Sequence, residues 1–414
     1  MVSMRRPRLA PHVLARHHRV AEKRLIVLHD THADAIATVG EREFTVLRAA
    51  DGTRDVEGIV AACAAEGRPV RADHVVEFLD QLAGAGMLRE GILEPPRMTP
   101  PRAERPLLAL EGFRLHCDGG GTCCRIYPTT AFSPAEAESL REAEFMPEHG
   151  STFYPWLARS VAMIDGRCAF LAPDGACVLH CAGKKPSGCR MYPAVFVDDG
   201  NSLRVTAAPE CRCVFASARI NTPPGPPVTG GVSLVELFDP QAAHVEVLPE
   251  ELPLTDELMI DRNRANAISD EIDAASGSDA VALLDGLGEQ LGAGQLGAGD
   301  ELARMARRLD HHNAQNTWRS ESDFARAVPR WMRAAIDRAD GVVDEEGERF
   351  YVRAVAFGRL WFRSGEPPFA IGLRRRAARL WIARRLRADG PLASDRALDE
   401  PIALVEAVCR SFGL

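Results

Sequence analysis

Nine of the 11 cysteines lie between Cys117 and Cys213. They are Cys117, Cys123, Cys124, Cys168, Cys177, Cys181, Cys189, Cys211 and Cys213, while Cys63 and Cys409 stand apart. So dense a run of thiols restricts the fold to a disulfide framework, a metal-nucleated unit or a thiol active site. The first residues, MVSMRRPRLAPHVLARHH, carry basic side chains but no apolar stretch of a secretory leader. A cytoplasmic location with reduced thiols is therefore expected, and reduced, clustered cysteines point to metal or catalysis.

The cysteines occupy three stretches, HCDGGGTCCRIYP (116–128), GRCAFLAPDGACVLHCAGKKPSGCRMYP (166–193) and PECRC (209–213). Gly119, Gly120 and Gly121 precede the Cys123–Cys124 pair. Glycines let the backbone turn tightly and come close to a bound ion. Adjacent cysteines point in different directions, so the pair suits two metal positions better than one. Cys168, Cys177, Cys181 and Cys189 are separated by turn residues, Pro173-Asp174-Gly175, Gly183 and Pro186-Ser187-Gly188. Such loops curl sulfur inward, as in metal-nucleated knuckles. Cys211 and Cys213 form a compact C-x-C. His116 and His180, each beside a cysteine, are the candidate nitrogen ligands. Zinc in a Cys₄ or Cys₃His site and an iron–sulfur cluster on four thiolates are both compatible; the all-thiolate excess favours iron–sulfur. Lys184 and Lys185 tune the cluster, bind an anion or simply solvate the loop.

Proline-rich stretches at 94–106 and 222–231 divide the chain into segments of about 10–93, 107–221 and 232–414. QLGAGQLGAG (290–299) is too short a repeat for a solenoid and reads as a loop. In the first segment, β-like stretches at His18–Val20, Leu25–Leu28 and Ala35–Val39 precede three helical patterns. Phe44 and Leu47 mark the first, ended by Asp51-Gly52. Asp55 caps the second, with Cys63 on its apolar face, and Val75, Phe78, Leu79 and Leu82 mark the third. In the third segment, Phe350, Ala354, Phe357 and Trp361 form a helical stripe. A second stripe through Phe324, Val328, Trp331 and Ile336 is expected to break at Pro329. A last helix opens at Pro401, with Cys409 inward. The Arg-rich stretch from Arg374 to Arg387 reads as a solvated helix face paired with acids such as Asp344, Glu345 and Glu346, rather than as an anion or nucleic-acid surface.

The CC pair followed by Arg125, the C-A-F-L…D-G-A-C core from Cys168 to Cys177, and K-P-S-G-C-R-M-Y-P from Lys185 to Pro193 resemble the YkgJ-like cysteine-cluster family, described as zinc- or iron-chelating. Cys117 stands where that family carries an earlier cysteine, but at a wider C-x5-CC spacing; Cys181 is not at a usual family position. A cysteine cluster followed by a helical half with aromatic stripes is similar, in pattern alone, to FliB-type flagellin lysine-N-methylases. That resemblance implies methyl transfer from S-adenosylmethionine to protein lysine with help from an iron–sulfur centre. DGTRDVEGIV…VVEFLDQLAGAGML resembles PqqD-like peptide-recognition domains. No G-x-G-x-x-G loop follows a strand, and C-x3-C-x2-C, G-x-S-x-G, H-E-x-x-H and Walker patterns do not occur. His311-His312 cannot share one helix face.

The expected fold is α+β: a winged-helix-like domain (10–93), an irregular cysteine-rich metal-binding domain (107–221) and an all-helical C-terminal domain (232–414). Its metal ligands are the nine clustered cysteines, its cofactor an iron–sulfur cluster or zinc with S-adenosylmethionine as the methyl donor, and its partner a peptide or protein. The rival reading is a non-enzymatic zinc-stabilised adaptor. With 50 basic against 58 acidic residues, a cationic DNA binder is not expected. No run approaches the roughly 18 apolar residues that span a bilayer.

Overall fold

The computed structural model describes the backbone of residues 6–10, 13–20, 23–30, 35–91, 105–117, 121, 123–126, 131–132, 136, 159–160, 163–164, 167–168, 170–173, 175–221, 231–240, 243, 245–277, 279–292, 297–315, 323–363, 366–388 and 400–412. Residues 94–104 and 222–230 of the expected linkers, and 293–296 of the repeat, lie outside these. The architecture is mixed α+β, with two apolar cores among the described residues.

The first core belongs to the N-terminal segment. Strands β1 (Pro7–Leu9), β2 (Val13–Val20), β3 (Lys23–Asp30) and β4 (Ala35–Val39) lead into helices α1 (Glu41–Ala49), α2 (Val56–Ala65) and α3 (Ala72–Gly84). β2, β3 and β4 form an antiparallel sheet in that order, which leaves β4 at an edge. β5 (Leu88–Glu90) returns to pair with β1. Asp55 caps α2 as its position implies, accepting from Gly58 N–H at 2.9 Å. Ile26, Leu28, Leu47, Ile59 and Val75 bury their side chains together, with Cys63 fully enclosed among them. That thiol is a small core hydrophobe, as its helical spacing suggests.

The second core runs through both remaining segments. β6 (Leu107–Ala109) precedes α4 (Cys123–Ile126) and the short pieces β7 (Ala131–Phe132), β8 (Arg159–Ser160), β9 (Met163–Ile164) and β10 (Arg167–Cys168). Then follow α5 (Val178–Cys181), α6 (Ser187–Met191), β11 (Ala194–Asp198), β12 (Leu203–Ala207) and α7 (Arg212–Asn221). β11 and β12 form an antiparallel hairpin at the middle of a four-stranded sheet. β6 joins β12 in parallel, and β13 (Val245–Val247) joins β11 in parallel. The cysteine segment thus supplies the central pair, and the third segment one of the outer strands.

The hairpin turn is closed by Asp199, which has no accessible surface. Its Oδ1 accepts from Asn201 N–H at 2.9 Å, Ser202 N–H at 2.8 Å and Ser202 Oγ at 3.2 Å, and its Oδ2 pairs with Arg204. Burial alone would raise the Asp199 carboxyl. The hydrogen bonds from Arg204, Ser202 and Asn201 outweigh it and hold the group below the ordinary aspartate range. Gly200 takes the left-handed conformation that the turn requires (φ +92°).

Two further strands, β14 (Glu251–Pro253) and β15 (Met259–Asp261), precede helices α8 (Arg262–Ala274), α9 (Ala280–Gln290), α10 (Ala298–Gln315), α11 (Asp323–Ile336), α12 (Glu345–Phe357), α13 (Phe369–Ala388) and α14 (Pro401–Phe412). The third segment is therefore not all-helical: Val245 and Val247 follow a β period and extend the hairpin sheet. Nor does Pro329 end its helix. α11 continues through it, and Val328 and Met332 on either side are fully buried, packing that offsets the missing N–H. α12 lies against the sheet, where Thr206 Oγ1 donates to the Ala354 carbonyl at 2.7 Å. Phe350 stacks between Phe113 and Phe215, at centroid distances of 5.2 and 5.9 Å. Trp361 of the expected stripe sits beyond α12, with Nε1 donating to Ser269 Oγ at 3.0 Å.

The Arg-rich stretch forms α13 and differs most from expectation. Arg374, Arg376 and Arg379 are buried, because other helices bring carboxylates to them. Arg374 pairs with Asp285 at 3.5 Å and Arg379 with Glu406 at 3.1 Å. Towards the end of the helix, Arg384 pairs with Glu348 at 2.7 Å and Arg387 with the expected Asp344. No helix among the described residues is long and apolar enough to cross a membrane.

Replacing Asp199 by Asn should lower stability by about 3 kcal/mol, since it leaves the largely buried Arg204 guanidinium with only the more distant Asp270, at 3.9 Å, as charge partner. A group with a depressed folded pKa stabilises above its unfolded value, and that contribution is lost as pH falls through the folded one. Urea unfolding of the wild type should therefore weaken as the solution is taken below about pH 4, with a smaller acid dependence in D199N. Equal acid dependence in both would contradict this role.

Candidate metal centre

The thiols come together through three tight backbone devices. The first is the one-turn helix α4. Cys124 N–H donates to the Gly121 carbonyl at 3.0 Å, and the Cys123 and Cys124 sulfurs lie 4.0 Å apart. The second is a knuckle between Cys168 and Cys177. Leu171 N–H reaches back to the Cys168 carbonyl at 3.0 Å, Ala172 N–H to Ala176 at 2.9 Å, and Val178 N–H to Phe170 at 3.0 Å. Gly175 makes the bend with φ +88°. The Cys168 sulfur accepts from Phe170 N–H at 3.4 Å. The third is α6, which carries Cys189. Its first residue, Ser187, donates its N–H to Glu136 Oε1 at 2.6 Å.

Gly121 fits these devices together. Its φ is +68°, and a Cβ there would stand 2.6 Å from both the Gly175 carbonyl oxygen and Leu171 Cδ1. Gly121, before the CC pair, thus permits close approach to the second cysteine loop, where the sequence reading expected close approach to a bound ion.

The two adjacent cysteines face different neighbours. Cys123 exchanges a hydrogen bond with Cys124 and feels Cys117 and Lys185. Cys124 also contacts Cys168 and feels Cys177. Cys168 in turn feels Cys189 and Cys177. The hydrogen bond to Cys124, then burial, push the Cys123 thiol far up. For Cys124, the hydrogen bond from Cys123 lowers the pKa. That with Cys168, burial and the charges of Cys168 and Cys177 outweigh it, and the thiol is pushed up to about 12. Cys168 is lowered, chiefly by its hydrogen bond from Cys124. Lys185 offsets part of the cost at Cys123, so it acts on the cluster rather than only solvating a loop.

Cys117, Cys123, Cys124, Cys168, Cys177 and Cys189 are thus within one another's electrostatic reach. Cys211 is buried and lies in electrostatic reach of Tyr192. Burial first, then Cys211 and Cys123, push the Tyr192 phenol well above its ordinary range. Cys213 packs against the apolar core. The side chain of Cys181 lies outside the described residues. The His116 ring packs on Gly231, and its Nε2 is buried without a hydrogen-bond partner among the described residues. His180 is exposed, and the side chains of His311 and His312 lie outside the description. Among the described residues, no three His, Cys, Asp or Glu side chains converge on a single ion position.

Sequence patterns did not single out Tyr192 as a neighbour of the sulfur cluster, although it lies in the K-P-S-G-C-R-M-Y-P stretch. Compared with protein-family models, curated proteins and solved structures, the chain matches none.

Gly121→Ala should loosen the cysteine loops, combining a left-handed conformation costing about 1–2 kcal/mol with an overpacking term of about 1–3 kcal/mol. Gly183→Ala is the control. Gly183 is also left-handed (φ +66°), but its Cβ would meet nothing within 4 Å. Limited proteolysis should show faster cleavage between 168 and 191 in G121A than in G183A; equal rates would remove the close-approach argument.

Proposed function

We propose that this chain is a metal-binding protein whose cysteine loops close on a thiolate-ligated centre, an iron–sulfur cluster in preference to zinc. The observation that carries this is the gathering of six thiols in which Cys123 and Cys124 are held strongly protonated by one another, by burial and by their neighbours. Packing neutral thiols this way gains little, whereas a cation reverses the balance because coordinating sulfur is deprotonated outright. Its candidate donors are Cys117, Cys123, Cys124, Cys168, Cys177 and Cys189, which would have to draw closer on binding, since no three of the described side chains converge on one ion position. The different neighbours of Cys123 and Cys124 suit a centre with more than one metal atom. When bound, an iron–sulfur cluster supplies one-electron chemistry.

We read the N-terminal unit as a winged-helix-like, PqqD-like peptide-recognition domain. Among the described residues β4 is a sheet edge, able to accept an added peptide strand. One open face of α3 carries Asp73, Val76, Glu77, Asp80 and Gln81. Its carboxylates attract a lysine-bearing peptide and repel nucleic-acid phosphates. A recognition domain joined to a redox-capable centre supports a protein-modifying enzyme of the lysine-N-methylase type, with S-adenosylmethionine as methyl donor.

Protein purified without oxygen should show a broad visible absorption band and contain iron and acid-labile sulfide. A colourless protein holding only zinc would instead favour the zinc-stabilised adaptor. Substituting Ser for Cys123, Cys124, Cys168, Cys177 or Cys189 should each lower metal content, while Cys63→Ser and Cys409→Ser leave it unchanged; full occupancy in most of the first set would sink the ligand assignment. Metal removal should also open residues 107–221 to protease, since metal binding would supply folding energy there. In titrations of the full chain at low salt, a lysine-rich peptide should bind in preference to duplex DNA, and Asp80→Asn with Glu77→Gln should weaken it.

A further inference from the structure

Helices α10 and α13 pack together, and each carries two arginines one turn apart, Arg304 and Arg308 on α10 and Arg375 and Arg379 on α13. Glu301, one turn before Arg304, is the carboxylate that meets both helices. It is buried, with its side chain 5% accessible. Its Oε2 accepts from Arg304 Nε at 2.6 Å and stands 3.4 Å from Arg375 Nε. Two guanidiniums from different helices therefore lie side by side on a single carboxylate oxygen. Among the described residues, no second carboxylate pairs with either of them. Arg379 offers no relief, because its partner Glu406 is already shared with Arg376.

Positive charge is thus in excess here by the pairing itself. Arg304 Nη2 is enclosed without a hydrogen-bond partner, so Glu301 does not satisfy even the guanidinium it binds more closely. The crowding is also felt at Arg375. Burial first and Arg304 next push its guanidinium down to about 10; Glu301 opposes the fall, and Arg379 and Arg308 add to it. The two side chains that share Glu301 reach the surface, Arg304 at 22% accessible and Arg375 at 26%. Both turn Nε towards Glu301, which leaves the Nη ends of the forks to meet a ligand arriving from solvent.

We propose that Arg304 and Arg375 form a surface site for a compact dianion, a phosphate group either free or carried on a small molecule. A guanidinium fork matches two oxygens of such a group, and a tetrahedral anion presents oxygens to two forks held on different helices. The singly charged Glu301 leaves the pair of arginines unbalanced. A doubly charged group, in the added field of Arg308, matches them better. Glu301 fixes the two Nε atoms and at the same time competes with the incoming anion. A nucleic-acid backbone needs a run of phosphate contacts, and Arg374, Arg376 and Arg379 of the same helix are buried, so a single small anion fits this face. The inference does not depend on the thiol centre or its metal.

The test is calorimetric titration of the full chain in about 0.15 M sodium chloride, with inorganic phosphate and with glycerol phosphate. At least one should bind at sub-millimolar concentration; tighter binding of the ester would show that the phosphate arrives on a small molecule, and tighter binding of the free ion that it arrives alone. Arg304→Met and Arg375→Met should each weaken binding about tenfold or more, the worth of one charge-assisted contact. Glu301→Gln should strengthen it, because a competing charge is removed, a gain that a purely structural ion network does not predict. Circular dichroism checks the fold of each variant. Where one fails to fold, the wild-type titration and Arg375→Lys, which keeps the charge but loses the planar fork, decide the matter. Silence of the wild type towards both anions would overturn the proposal. So would binding unchanged by loss of the Arg375 fork, or not strengthened in folded Glu301→Gln.

Discussion

The buried Asp199 carboxylate is the constraint on which the larger unit depends. It satisfies two backbone N–H groups, a hydroxyl and a guanidinium at once. The turn it closes sets the register of β11 on β12, and those strands receive β6 from before the cysteines and β13 from after them. The same turn is tied to the helices. Asn266 Nδ2 donates to the Asp199 carbonyl at 2.9 Å, and Arg359, itself fully buried in a left-handed conformation, donates to Asn266 Oδ1 at 3.1 Å. An unpaired charge at this depth costs several kcal/mol, so loosening one member penalises the rest.

That frame explains how an irregular cysteine region is held in place. Among the described residues from Cys117 to Cys189, the regular elements are one-turn helices and two-residue strands. The two ends of that stretch run into the sheet, through β6 on one side and β11 on the other. Gly121 then lets the CC turn settle on the knuckle. Burial and neighbouring thiols there favour the protonated form of Cys123 and Cys124, whereas Cys168 is lowered by its hydrogen bond from Cys124. Beyond Cys211, polar side chains continue through Tyr192 and Arg410 into the helical half.

Much of the local structure was legible from the chain. Asp55 announced the α2 cap, and the spacing of Val75, Phe78, Leu79 and Leu82 announced the buried face of α3, because both signals lie within a few residues. Cys63 and Cys409 were readable as core residues from their helical phase. Asp199-Gly200 between two β-rich runs carried a hairpin signal that was not exploited. Other features were not local. The arginines of α13 look like a surface face because their neutralising acids, among them Asp285, Glu348 and Glu406, come from distant positions. Pro329 looks like a helix stop because the packing of Val328 and Met332 that overrides it is tertiary.

By itself, then, the sequence determined where the thiols cluster, which turns curl around them and which helical faces are apolar, since each follows from covalent spacing and backbone preference. Only the tertiary structure decided which thiols meet, that Cys123 and Cys124 look towards different neighbours, and that three arginines of α13 are buried with acids from other helices. Those outcomes depend on burial and Coulomb interaction. Both act between groups that are close in space however far apart they stand in the chain, and a pattern read along the chain does not contain such distances.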